Sequence, residues 1–248
     1  MTEHTEHIDN QSIKHPYYPQ DATINGYVVS TRSSVEILVS LALMVIAVLI
    51  SAFVIISRTN SSRKNQTRVI KLGPLSFADK FAVYWFSVCA FIHLVIEGYF
   101  VYFNKDLTSR SNLLSDLWRE YALSDSRYLT SDPFTVIMEA ITAVFDTIMS
   151  ILVVYGISNN SSFRHIAQIC CSLAQLYGNV IYLTTNYFEN FKFTHPDPYY
   201  FWFYFVFMNS FWIFFPIYFF FSSWSQLSKS VSISNHVVYS FPKNKKSN

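Results

Sequence analysis

Residues Phe91–Phe103 read FIHLVIEGYFVYF, an apolar run that contains two ionisable side chains, His93 and Glu97. The run is hydrophobic enough for a membrane helix, and a spacing of four residues places both side chains on one face of such a helix. Burying these groups in hydrocarbon is costly unless they line a protein interior or a wet cavity. The stretch therefore predicts a membrane helix with a polar, inward-facing side.

The composition of the whole chain is that of a membrane protein. Its 248 residues are 51% hydrophobic and 14% charged, whereas soluble domains carry about 25% charged residues. The net charge of +2 and the lack of a basic stripe interleaved with aromatic residues argue against a nucleic-acid partner. The three cysteines lie in apolar segments, and no CxxC or HExxH pattern occurs, so we expect neither a disulfide nor a metal site.

Five apolar segments are long enough to cross a membrane. Because backbone polar groups inside a membrane need partners within their own segment, each segment is predicted to be a helix. The predicted fold class is an all-α membrane protein, in which five transmembrane helices bundle around an intramembrane polar cavity. The predicted helices are Val35–Ile56, Phe81–Phe103, Phe134–Gly156, His165–Thr185 and Tyr199–Trp224.

The segments outside these helices predict the domains and the orientation of the chain. Residues 1–34 form a polar tail that we expect to be poorly ordered for most of its length, residues 35–224 form the membrane domain, and residues 225–248 form a second tail. Of the 18 Lys and Arg residues, eleven fall on the side of the C-terminal tail and seven on the side of the N-terminal tail. Since the more positive side faces the cytosol, we expect a lumenal N-terminus and a cytosolic C-terminus.

Polar residues on four of the helices fall at a similar depth. With a rise of about 1.5 Å per residue, Glu97 and Glu139 lie roughly 8 to 9 Å below the lumenal surface. Other side chains reach this level or one to two turns deeper: Asn179, His93, Gln175, Asn209 and Trp212. A single His or Asn in a membrane helix is often a packing residue that bonds to another helix. Two glutamates and a histidine in one layer favour a functional pocket, because unpaired carboxylates there are expensive.

Such a pocket suits acid–base chemistry on an apolar molecule. A carboxyl group in apolar surroundings can donate a proton near neutral pH, and a neighbouring His can accept or relay that proton. A second carboxylate or the face of a Trp can stabilise a cation. The sequence has no nucleophile with a base partner and no phosphate-binding glycine loop, so the residues themselves predict an intramembrane acid–base pocket for a lipophilic ligand.

Several stretches resemble the emopamil-binding protein family, the sterol Δ8–Δ7 isomerases. They are FIHLVIEGYF, LWREYALSDSRY, DPFTVIMEAITA, AQLYGNVIY and YYFWFYFVFMNSFW, in family order over roughly Phe86–Pro216. The resemblance implies an endoplasmic-reticulum enzyme of sterol biosynthesis, with a lateral sterol cavity and no cofactor. An enzyme of this family moves a nuclear double bond of the sterol from C8=C9 to C7=C8. An acid protonates C9, a carbocation forms at C8, and a base removes a proton from C7.

The resemblance also implies roles for individual residues. His93 and Glu97 are expected to form the proton-transfer couple, and Glu139 and Trp212 to stabilise the cation. The other expected substrate-binding residues are Thr142, Asn209, Asn179 and, from a connection that we expect to cap the cavity, Tyr121, Asp125, Arg127 and Tyr128.

The expected partners are a Δ8-sterol, membrane lipid and amphiphilic amine inhibitors, with a homodimer as the expected assembly if the chain associates. The C-terminal residues Lys245, Lys246, Ser247 and Asn248 resemble a dilysine retrieval signal. Such a signal is read from the cytosol, which agrees with the predicted orientation and with the endoplasmic-reticulum membrane.

The chain departs from the family pattern at a few positions. Phe145, Asp146 and Thr147 stand where the family usually continues with W-G-P, and Asn179 and Asn186 stand where acids are more usual. These departures leave open a second hypothesis, a sterol- or amine-binding protein of the same fold without isomerase activity. A transporter is disfavoured, because the chain has no internal repeat and its helices are predicted to be unbroken.

Overall fold

The computed structural model describes residues 14–65 and 72–240, and within these residues it contains helices and no strand. Five helices are long and apolar enough to cross a membrane, which confirms the predicted fold class. We number the helices in chain order, with α3 as a short helix outside the membrane. They are α1 Ser34–Lys64, α2 Phe77–Phe103, α3 Leu113–Tyr121, α4 Pro133–Asn159, α5 Arg164–Phe188 and α6 Tyr200–Val237.

Local sequence signals fix where the helices begin. The hydroxyl of Ser33 accepts from the N–H of Glu36, whose carboxylate accepts in return from the N–H of Ser33 at 2.7 Å, which is a capping box at the start of α1. At the start of α4, the Asp132 carboxylate accepts from the N–H of Thr135 at 2.9 Å. Pro133 follows in the first turn, where its missing N–H costs nothing.

Three of the membrane helices contain π-helical segments. They are Ile92–Glu97 in α2, Thr142–Asp146 in α4 and Tyr200–Met208 in α6. A π segment widens the helical turn, and such segments often occur at functional sites. The first two pack against each other. The membrane helices run without interruption through these segments, and α2 and α4 change their hydrogen-bond pattern where the polar residues lie.

Helix α5 buries polar side chains and exposes apolar ones, the reverse of the pattern in a soluble protein. Its buried face carries polar side chains at helical spacing, namely Gln168, Ser172, Gln175, Asn179 and Asn186. Its exposed side chains include the apolar residues Ile166, Leu173 and Val180. A soluble helix buries its apolar stripe instead. The pattern of α5 matches lipid outside and a polar protein interior inside.

Two apolar cores hold the polar layer between them. One core contains Ile96, Phe100, Tyr182 and Phe205, and the other contains Phe86, Val153, Cys171 and Phe219. Each of the helices α2, α4, α5 and α6 has residues that pack in the first core and residues that pack in the second. In all four helices, the polar residues of the predicted layer stand in the sequence between a residue of the first core and a residue of the second. The packing on both sides fixes the depth of the layer.

The segment before α1 packs on the connection between α2 and α4. Tyr17 and Tyr27 are buried, and the Ser126 hydroxyl donates to the carbonyl oxygen of Tyr18 at 2.5 Å. The prediction of a poorly ordered tail is therefore wrong for residues 14–33, because aromatic packing and hydrogen bonds anchor them. The remainder of that tail, residues 1–13, lies outside the described residues.

Two extramembrane connections lie on the same side of the bundle as residues 14–33. The Ser126 N–H donates to the Phe193 carbonyl at 3.1 Å, and the His195 N–H donates to the Leu123 carbonyl at 3.0 Å, so both connections lie on the side of residues 14–33. At the opposite end, the α-helix that begins at Asn209 continues to Ser240, beyond the predicted end of the fifth span. The dilysine stretch at Lys245 and Lys246 lies outside the described residues.

Candidate active site

A cavity of about 570 Å³ lies within the bundle, lined by all five membrane helices and by the connection that contains α3. Its volume falls in the range of about 300 to 1,000 Å³ that is typical of small-ligand sites. Most of its wall is apolar, with Leu41, Val45 and Leu49 contributed by α1. Helix α6 contributes Met208, Phe211 and Phe215 to the same apolar wall.

His93 lies at the centre of the polar part of the cavity wall. Its Nδ1 lies 2.7 Å from Oε2 of Glu97, and its Nε2 lies 3.1 Å from the amide nitrogen of Gln175. An amide N–H can only donate, so Nε2 accepts and Nδ1 carries the proton that is donated to Glu97. The Thr142 hydroxyl donates to the same Glu97 oxygen at 2.5 Å. The two packed π segments therefore meet in one hydrogen-bonded contact.

Glu139 is the second carboxyl group of the layer, and it is bonded from outside the membrane helices. The Tyr128 phenol, from the connection, donates to its Oε1 at 2.6 Å. Burial, together with the charge of Glu139, raises the pKa of the Tyr128 phenol, so this hydroxyl stays protonated and remains a donor. The connection thus closes the cavity by a direct bond to a carboxyl group in the polar layer.

Helices α5 and α6 complete the polar wall. The Asn179 amide donates to the carbonyl oxygen of Asn209 at 3.0 Å, and the Asn209 amide donates to the phenol oxygen of Tyr121 at 3.2 Å. The ring centroid of Trp212 lies 5.1 Å from that of His93. A cation formed beside His93 would therefore be close to an indole face, the best of the aromatic partners for a cation.

The structure brings most of the predicted site residues into one cavity wall, which confirms the predicted convergence. The wall includes His93, Glu97, Glu139, Thr142, Asn179, Asn209, Trp212, Tyr121 and Tyr128. The other two predicted residues, Asp125 and Arg127, do not line the cavity. They form a buried ion pair with a distance of 2.6 Å, and Asn186 of α5 donates to Asp125 at 3.0 Å. Their geometry is that of a clamp between the connection and α5.

Two further wall residues had no assigned role in the sequence analysis. Gln175, predicted only as a member of the layer, holds Nε2 of His93. Asp146, noted only as a departure, is fully buried in the wall. It follows Thr142 by four residues, the same spacing as His93 and Glu97, and this repeated spacing was the available signal. Within residues 14–65 and 72–240, no cluster of His, Cys, Asp and Glu could hold a metal ion.

Comparisons with known proteins identify the family and relatives of this chain. Residues 113–223 match the family described as EXPERA (EXPanded EBP superfamily). The chain is 34% identical to the rat 3-beta-hydroxysteroid-Delta(8),Delta(7)-isomerase over 227 residues, which cover 90% of this chain and 93% of the rat protein. It is 36% identical to the mouse protein of the same name, over 82% of this chain and 84% of that protein.

A plant relative carries a different name. The isomeliandiol synthase of Ailanthus altissima is 37% identical over 140 residues, which cover 56% of this chain and 66% of the plant protein. The two mammalian matches extend over most of both chains, whereas the plant match is confined to about half of this one. This chain therefore belongs to the EXPERA family of membrane proteins, to which the sterol isomerases of the emopamil-binding type belong.

Proposed function

We propose that this protein is an intramembrane sterol Δ8–Δ7 isomerase, which moves a nuclear double bond from C8=C9 to C7=C8. The observation that carries the proposal is the hydrogen-bonded contact of His93, Glu97 and Thr142 in an otherwise apolar cavity. The reaction adds one proton and removes another, and it transfers no electrons. An acid–base couple in a lipophilic cavity is the machinery that such a reaction needs.

The first step is protonation of the substrate by the couple of His93 and Glu97. The electron pair of the C8=C9 bond forms the new C9–H bond, which leaves a tertiary cation at C8. Glu139 and the face of Trp212 stabilise this cation, since preorganised charge next to a developing charge is usually the largest catalytic contribution. The couple then takes a proton from C7, and the electrons of that C–H bond form the C7=C8 double bond.

The cavity protects the cation from water. The rings of Trp118, Tyr121 and Tyr128 line the cavity on the side of the connection, and the remaining wall is mostly aliphatic or aromatic. Because water is excluded, it cannot react with the C8 cation before the C7 proton is removed. Because a sterol dissolves in the bilayer, it enters the cavity sideways, between membrane helices.

The proposed function also implies a membrane location, an orientation and a class of inhibitor. We place the protein in the endoplasmic-reticulum membrane with a lumenal N-terminus and a cytosolic C-terminus, and the excess of Lys and Arg on the C-terminal side supports this orientation. An amphiphilic amine would mimic the C8 cation, with its ammonium group beside Glu139 and Trp212. Homodimer formation stays a prediction.

Purified protein in liposomes that contain a Δ8-sterol tests the proposal. Wild-type protein is expected to form the Δ7 product, identified by mass spectrometry, without any added cofactor. His93→Ala and Glu139→Gln are expected to lose this conversion. Normal conversion by either variant would overturn the role given to that residue. A wild-type protein that binds the sterol without converting it would instead be the non-catalytic binding protein.

A further inference from the structure

Asp146 differs from the other acids of the cavity wall. Its side chain is fully buried and lines the cavity, and neither carboxylate oxygen has a hydrogen-bond partner in the described part of the chain. Glu97 accepts from His93 and Thr142, and Glu139 accepts from Tyr128. A buried carboxyl group without a donor carries a desolvation cost that a bound ligand can offset.

Gln175 adds a second free acceptor to the same wall. Its amide nitrogen is bonded to His93, while its Oε1 is buried with no partner among the described residues. The asparagines nearby are already bonded to one another and to Tyr121. The hydroxyl of Tyr182 also lacks a hydrogen-bond partner among the described residues, but it lies towards the connection, with its ring 6.3 Å from that of Tyr128.

The position of Asp146 along α4 matches the dimensions of a sterol. Asp146 follows Thr142 by four residues, at the other end of the π-helical segment, so it lies about one turn further along α4. Because Thr142 is bonded to Glu97, the free carboxyl lies about one turn from the proton-transfer couple. In a simple Δ8-sterol the polar group is the 3-hydroxyl on ring A, and the reacting carbons belong to the adjoining ring B.

We propose that Asp146, with Gln175 beside it, is the subsite that binds the 3-hydroxyl of the substrate. The hydroxyl donates its hydrogen to the Asp146 carboxylate, and ring B then lies against His93 and Glu97. This inference rests on the proposed isomerase function and adds the direction in which the sterol lies. Ring A points away from the connection, towards the half of the bundle that contains Phe86 and Phe219.

A Δ8-sterol and its 3-deoxy analogue test the subsite, because the analogue keeps the rings and the double bond but lacks the donor. In liposomes, wild-type protein is expected to convert the sterol with a kcat/KM about 10- to 100-fold above that of the analogue, the range for a hydrogen bond to a charged group. Asp146→Leu is expected to reduce this ratio to near one by slowing conversion of the sterol alone. Asp146→Asn keeps an acceptor oxygen and should retain part of the ratio.

Two control variants locate the hydroxyl. Asp21→Leu makes the same chemical change at an exposed position outside the cavity, and Tyr182→Phe removes an unpartnered hydroxyl from a residue that lines the cavity on the side of the connection. Both are expected to keep the wild-type ratio between the two substrates. A ratio that falls in Tyr182→Phe and persists in Asp146→Leu would place the hydroxyl at the connection and overturn the proposal.

The remaining outcomes separate the subsite from the isomerase itself. A wild-type ratio near one, or an equal loss on both substrates in Asp146→Leu and Asp146→Asn, overturns the subsite, while conversion by the wild type still supports the isomerase. If wild-type protein converts neither compound, the proposed function fails and the subsite fails with it.

Discussion

The buried aspartates of the extramembrane connection and the acids of the cavity wall have different kinds of partner. In the connection, two buried aspartates are bound to arginines: Asp116 to Arg32 and Arg119, and Asp125 to Arg127. In the cavity wall, no carboxylate has a Lys or Arg partner among the described residues; these acids are Glu97, Glu139 and Asp146.

This difference separates acids that hold the fold from acids that are available for chemistry. An arginine partner keeps a buried carboxylate ionised at neutral pH, and losing one member of such a pair is strongly destabilising. An acid that lines the cavity and has a histidine or a hydroxyl as its partner can exchange a proton with a bound substrate, and such groups cluster at functional sites. Substitutions in the cavity should therefore change catalysis, whereas substitutions in the connection should change stability.

The largest expected effect is that of Glu97→Gln. The amide keeps the shape of the side chain but cannot exchange a proton, so kcat for Δ8-sterol conversion is expected to fall by roughly 10²- to 10⁴-fold, the usual contribution of acid–base catalysis. Glu120→Gln is the matched control, because its carboxylate accepts from Tyr204 and Ser34 outside the cavity wall. Equal kcat losses in the two variants would contradict the division between chemistry and fold.

The next effect concerns the clamp of Asp125 and Arg127. Arg127→Met leaves a buried carboxylate unpaired, and the free energy of unfolding is expected to fall by about 3 to 5 kcal/mol, measured by denaturation in detergent. Arg110→Met is the control, because Arg110 pairs with the exposed Asp106 at 2.7 Å. Exposed pairs contribute only about 0 to 1 kcal/mol. Similar losses in both variants would show that burial does not set the strength of these pairs.

A smaller effect is expected where the connection bonds to the cavity. Tyr128→Phe removes the donor to Glu139, and kcat/KM for the sterol is expected to fall about tenfold, since an unsatisfied buried acceptor costs about 1 to 3 kcal/mol. Tyr204→Phe removes the donor to Glu120, which lies outside the cavity wall, and should change kcat/KM much less. If Tyr204→Phe reduced turnover as strongly, the bond to Glu139 would have no special role.

The smallest effect is the acid sensitivity that Asp116 gives to the connection. Burial alone would raise the pKa of its carboxyl group, but hydrogen bonds from Arg119, Arg32 and Ser30 outweigh burial and hold that pKa below its usual value. The stabilisation is therefore complete above the unfolded-state pKa of about 3.9 and is lost as the pH falls through the lower folded-state pKa.

Melting temperatures measured from neutral pH down to pH values below about 4 check this effect. Wild-type protein should lose stability at the acid end, and Asp116→Asn should lose less over the same interval, because the substituted group no longer titrates. Parallel melting curves for the two proteins would show that Asp116 does not contribute to the acid sensitivity.

The polar layer could be predicted from the sequence because depth in a membrane follows from counting residues along a helix. Counting predicts that His93, Glu97 and Glu139 lie within about one turn of each other in depth, and all three line the same cavity. The π segments could not be predicted this way, because a change in backbone hydrogen bonding depends on how α2 and α4 pack together. For the same reason, the sequence does not predict that Asp146 lacks a hydrogen-bond donor, because this depends on which side chains surround it in the fold.

The connection was harder to predict than the membrane helices. The sequence places Asp125 and Arg127 next to the capping tyrosines, but it does not show which way their side chains face. In the structure the Arg127 guanidinium lies 5.5 Å from the ring centroids of Tyr182 and Phe193, outside the cavity wall. Likewise, the polar composition of residues 14–33 indicated disorder, whereas their anchoring depends on contacts with a distant part of the chain.

A single-turnover reaction in deuterium oxide tests the central claim most directly. The protein is first equilibrated in deuterium oxide, so that the exchangeable proton of the couple of His93 and Glu97 becomes deuterium, and is then mixed with less than one equivalent of a Δ8-sterol. The account predicts a Δ7-sterol with one deuterium at C9, and little product from Glu97→Gln. A Δ7 product without deuterium at C9, or the same labelled product at the same rate from Glu97→Gln, would contradict it.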